Sequence, residues 1–96
     1  MQRDEVLRRL AEHRQKLTEL GVKSLALFGS IARDDAGPKS DVDLLVDFDR
    51  PVGLLGFVRV QRYLGELLQA RVDLVTLDAL KPKVRENVLK EAVHAA

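Results

Sequence analysis

Between Arg3 and about Leu20 the apolar positions Val6, Leu7, Leu10, Leu17 and Leu20 fall close to one helical stripe, and Gly21 supplies a stop. An amphipathic first helix is predicted over that span. His13 lies on or near the stripe and reads as a packed or boundary histidine, with no role in chemistry. The run Ser24 to Phe28 is bounded by Gly21 and Gly29 and is too short for a helix, so it predicts a strand. Ser30, a favoured N-cap, opens a short helix to about Asp35 that Gly37-Pro38 cannot continue. Asp34 to Lys39 is a polar loop.

From Val42 to Phe48 the period changes to two. Val42, Leu44, Val46 and Phe48 take one face of a strand; Asp41, Asp43, Leu45 and Asp47 take the other. Arg50-Pro51 ends it, and Leu54 to Leu68 predicts a helix with Leu54, Phe57, Val60, Leu64 and Leu67 or Leu68 on its buried side. Arg71 to Leu77 predicts a third strand. A strand, helix and strand of these lengths form a crossover, which makes the two strands parallel neighbours and brings Asp73 beside the Asp41 and Asp43 end. Pro82 stands near the start of a last helix with Val84, Val88, Leu89 and Ala92 at helical spacing. The expected fold is α/β (α+β), with helices flanking a small mixed sheet of about three strands. The 96 residues are expected to form a single domain over 1–96.

Composition narrows the function classes. A net charge of +1 and a single tyrosine, Tyr63, give no reason to expect nucleic-acid binding, which draws on basic patches and aromatic platforms. The absence of cysteine excludes disulfides and thiolate metal sites. Neither a signal-peptide core nor a bilayer-length apolar run is visible, so a cytoplasmic location with no membrane partner is expected.

The candidate chemistry lies between Leu25 and Val46. Gly29-Ser30 stands at a strand-to-helix turn, where glycine permits close backbone approach and free amides can face an anion. Asp41 and Asp43, two residues apart on a strand, point the same way with Cα atoms about 6.5–7 Å apart. Paired hard carboxylates suit Mg²⁺, which usually shares its oxygen ligands with substrate phosphates. Either motif alone is weak. Together with Asp73 they form an acidic cluster that calls for a cation, and two Mg²⁺ ions roughly 3.5–4 Å apart would serve in-line attack on a phosphoryl group. In that reaction Asp73 would ligate the second ion or accept the hydroxyl proton. The chain has neither the ATPase phosphate loop nor the three-glycine dinucleotide fingerprint.

Gly29-Ser30-x-Ala32-Arg33, then Ser40-Asp41-x-Asp43-Leu44-Leu45-Val46, then Val72-Asp73-Leu74-Val75 resemble the minimal nucleotidyltransferase (MNT) domains of the DNA polymerase beta superfamily. The resemblance covers nearly the whole chain and implies a polymerase-beta-like palm fold. It implies that Gly29 and Ser30 contact the nucleotide phosphates and that Asp41, Asp43 and Asp73 form the metal-binding carboxylate triad; Ser40 is a further nucleotide-binding candidate, and Arg33 is open to pairing with a phosphate, with the acceptor, or with Asp34 or Asp35 as a solvated helix arginine. The implied reaction moves a nucleoside monophosphate from ATP to an acceptor hydroxyl and releases pyrophosphate. Many members carry glycine after Ala-Arg, where this chain has Asp34.

Larger relatives add a domain that holds the acceptor. A chain of this size resembles instead the antitoxins of toxin-antitoxin modules, whose partner is an all-helical HEPN (higher eukaryotes and prokaryotes nucleotide-binding) ribonuclease modified by AMP. That makes a protein adenylyltransferase the first expectation. A non-catalytic antitoxin that masks its partner and an antibiotic-type, small-molecule nucleotidyltransferase are the alternatives, and a homo-oligomer stays open.

Overall fold

The computed structural model describes residues 2–33 and 41–95. The elements run α1 (Arg3–Glu12), α2 (Arg14–Glu19), β1 (Val22–Phe28), α3 (Gly29–Ala32), β2 (Val42–Phe48), α4 (Gly53–Leu68), β3 (Val72–Thr76), a 3-10 turn (Leu77–Ala79), α5 (Pro82–Glu91) and β4 (Val93–His94). They build a mixed sheet in the order β3-β2-β1-β4. β2 is parallel to β3 and antiparallel to β1, while β4 pairs antiparallel with the other edge of β1.

One face of this sheet carries the core. Leu25, Leu27, Val42, Leu44 and Val46 are buried there against Val6, Leu10 and Leu17 of the first two helices and Val60, Leu64 and Leu68 of α4. The alternation in β2 has a direct consequence: its other face carries Asp43, Leu45 and Asp47, beside Phe28, Ala26 and Ser24 of β1.

Four expectations are corrected. The first helix is broken at His13, whose Nδ1 donates to the Arg9 carbonyl at 2.9 Å. With that acceptor engaged by the side chain, the His13 amide donates to Leu10 instead, and the helix restarts at Arg14. Among the described residues the sheet has four strands rather than about three, because Val93–His94 adds a short edge. Ser30 is not the cap of α3; Phe28 holds that position with extended backbone and Ser30 lies inside the single turn. Leu54, in the first turn of α4, is exposed and not buried. Val84 and Leu89 of α5 are exposed as well, leaving Val88 as the buried anchor of that helix. The expected loop Asp34 to Lys39, and Ser40 with it, lie outside the described residues.

Candidate active site

β1 ends on Phe28 and the chain turns at once into α3. The turn requires φ of +75° at Gly29, a left-handed conformation in which a Cβ is strained. Glycine is needed for a second reason: a Cβ at this position would overlap the Asp43 carboxylate. The backbone of residue 29 and the Asp43 side chain are therefore in direct apposition. α3 is only four residues long, so what Gly29 and Ser30 offer an anion is local amides and one hydroxyl.

The parallel pairing of β2 with β3 sets Asp43 opposite Asp73, and the Val42 amide donates to the Arg71 carbonyl at 2.9 Å to hold that register. Asp41 precedes β2 by one residue and is exposed, Asp43 is half-buried and Asp73 is exposed. Burial, then the negative charges of Asp73 and Asp41, push the Asp43 carboxyl above the usual aspartate range, while Arg33 pulls it down. The site thus holds excess negative charge in the protein alone. Among the described residues, no three acidic or imidazole side chains are gathered tightly enough to hold a metal ion by themselves. The three carboxylates share one end of the sheet, with Asp43 in register with Asp73 and Asp41 one residue before β2.

Arg33, just after α3, makes an ion pair with Glu91 near the end of α5 at 3.0 Å. From the other side, Arg3 donates to the Ala32 carbonyl at 3.2 Å. The short turn that follows Gly29 is therefore tied to the first and the last helices. Glu91 was not singled out from the sequence, and it stands too far from Arg33 along the chain for any local pattern to link them.

The nucleotidyltransferase domain family model matches residues 7–94. The protein adenylyltransferase MntA of Thermococcus cleftensis is 43% identical over 86 residues, covering 88% of this chain and 87% of that protein. A solved structure of a "putative minimal nucleotidyltransferase" superposes with a TM-score of 0.84 at 36% identity, covering 97% of this chain and 95% of that one. An MNT antitoxin in complex with a tri-AMPylated HEPN toxin from Shewanella oneidensis shares the fold, with a TM-score of 0.60 at 18% identity, covering 90% of this chain and 71% of the other. With the family model spanning nearly its whole length, the chain belongs to the nucleotidyltransferase domain family and is an enzyme of that kind.

Proposed function

We propose that this chain is a single minimal nucleotidyltransferase domain that moves AMP from ATP to a hydroxyl on a protein partner, in the manner of an antitoxin that adenylylates a HEPN-type helical toxin. The observation that carries the reading is the apposition of the Gly29 turn with Asp43, itself paired in register with Asp73. A phosphate resting on the Gly29 and Ser30 amides would lie beside the carboxylates. The 43% identity to a protein adenylyltransferase over most of both chains supports a protein acceptor. The HEPN assignment draws on the shared fold with an antitoxin seen on its AMPylated toxin.

The donor set fits a hard divalent cation in its chemistry: oxygen ligands only, and crowded negative charge. Asp41 and Asp43 would hold Mg²⁺, with Asp73 on a second ion; when bound, such ions neutralise the triphosphate and the charge that develops in transfer. The chain's own groups do the rest. Gly29 and Ser30 fix the phosphates, aided by the positive charge of Arg33 and by Ser40. Alternatively, Asp73 would take the proton of the acceptor hydroxyl. The acceptor oxygen forms a bond to the α-phosphorus, the bond from that phosphorus to the bridging oxygen of the β-phosphate breaks, and pyrophosphate leaves.

The test uses ATP labelled on the α- or, separately, the γ-phosphate, with Mg²⁺ and a purified HEPN-type protein. Label reaching that protein from the α position only, and lost in Asp43→Asn, is the expected result. Transfer from the γ position would indicate a kinase, and neutralisation of the partner by Asp43→Asn without any transfer would indicate masking.

A further inference from the structure

The sheet face that carries Asp43 does not end there. Beyond it lies an open cleft of about 870 Å³ lined in part by Leu45, Phe57, Leu77 and Leu89, drawn from β2, α4, the 3-10 turn and α5. Leu45 is two residues along the strand from Asp43 and on the same face, so the cleft begins next to the candidate active site. Its charged lining is Asp47, Asp49, Asp78 and Arg50. Arg50 is ion-paired with Asp49 at 3.0 Å, which leaves Asp47 and Asp78 exposed and without an ion pair among the described residues. At the cleft's α4 end, next to the lining residue Gly53, Leu54 and Leu55 are 77% and 81% exposed. Large apolar side chains at that exposure do nothing for the core, and grouped beside a cleft they mark a binding surface.

We propose that this cleft is the docking site for a segment of the protein acceptor that is both apolar and cationic. The inference rests on the protein-acceptor reading and deepens it. An apolar floor takes aliphatic or aromatic side chains, and the unpaired Asp47 and Asp78 at its rim take lysine or arginine. Both ends of the sheet face are acidic, but only the Gly29 end has a turn of free amides beside its carboxylates, so the nucleotide with its cation belongs there and the cationic acceptor segment at the Asp47 end. The exposed leucines of α4 extend the surface past the size of a small ligand and suit a macromolecule.

Amide resonances of the whole ¹⁵N-labelled chain, followed during titration with three probes, test this. The probes are Mg-ATP, a short amphipathic peptide carrying leucines and a tyrosine between lysines, and the same peptide with glutamates in place of the lysines. The expected result is that the lysine peptide shifts Leu45, Asp47, Leu77 and Asp78, the glutamate peptide does not, and Mg-ATP shifts Gly29 and Ser30 but leaves the cleft unmoved. The double variant Asp47→Asn with Asp78→Asn should weaken the lysine peptide roughly fivefold and leave Mg-ATP binding unchanged. Equal shifts from both peptides, or none from either, overturn the proposal. Cleft shifts from Mg-ATP would make it a nucleoside site, and cleft shifts that follow protein concentration alone would assign it to a second copy of the chain. Failure of Mg-ATP to shift Gly29 and Ser30 would instead count against the nucleotidyl-transfer reading and is read independently of the peptides.

Discussion

A side chain on residue 29 and the carboxylate of Asp43 cannot share the space they would occupy: a Cβ at Gly29 overlaps the Asp43 oxygen, and the backbone there is left-handed at φ +75°. Gly53 supplies a built-in control, with φ +69° but nothing within 4 Å of its would-be Cβ. Gly53→Ala therefore meets the backbone strain alone, about 1–2 kcal/mol, whereas Gly29→Ala adds the displacement of Asp43. Thermal unfolding of the two variants should show Gly29→Ala the less stable. Nucleotide transfer should fall by at least about tenfold in Gly29→Ala and stay near wild type in Gly53→Ala, since a carboxylate misplaced by an ångström costs far more than a strained remote turn.

The charge of Asp43 also works against stability. It is half-buried and faces Asp73 across the parallel register with Asp41 close by, and like charges directly opposite on neighbouring strands destabilise a sheet by up to about 1 kcal/mol. Asp43→Asn keeps the shape and removes the repulsion. In the absence of nucleotide and metal its melting temperature should rise by roughly 2–6 °C, a shift that scanning calorimetry resolves for a domain of this size. Transfer activity should disappear in the same variant. A lower melting temperature would mean that the carboxylate is satisfied by contacts that outweigh its neighbours' charge.

Much of this arrangement was legible in the residues, for identifiable reasons. β2 has the bounds that its alternation predicts, because Val42, Leu44 and Val46 on one face are buried and a slip of one residue would put Asp43 and Asp47 into the core. The meeting of Asp43 with Asp73 followed from crossover geometry. What was not legible depends on contacts that hydropathy does not record. The break at His13 comes from one imidazole bond to a backbone carbonyl. β4 is two residues long, too short to show a period, and exists because β1 has a free edge. Leu54 obeys the helical spacing of α4 yet meets water, since a stripe tells which side of a helix faces inward but not whether anything packs against its first turn.

The ion pair of Arg33 with Glu91 joins the end of the Gly29 turn to α5. Both side chains are close to half exposed, so the pair itself adds little to stability, at most about 1 kcal/mol. Its consequence is positional: Arg33 is held where its charge reaches Asp43. Glu91→Gln should leave the melting temperature within about 3 °C of wild type. The same variant should raise KM for ATP by roughly two- to fivefold with kcat nearly unchanged, because an arginine held less firmly before the nucleotide arrives draws on binding energy rather than on the transfer step. Steady-state kinetics over a range of ATP concentration separates the two. A fall in kcat at constant KM would mean that Glu91 acts on the acceptor side instead.

Leu54 and Leu64 lie on one helix and differ in what they touch. Leu64 is fully buried in the core, while Leu54 is 77% exposed and follows Gly53 of the cleft lining in the chain. Truncating Leu64 to alanine removes buried methyl groups and leaves a cavity, which costs about 2–5 kcal/mol. Truncating Leu54 removes nothing from the core and should change stability by no more than about 0.5 kcal/mol. Urea unfolding of the two variants measures both. Equal losses would mean that α4 is rotated from the orientation described, with its first turn packed inward, and the exposed apolar surface that borders the cleft would then not exist.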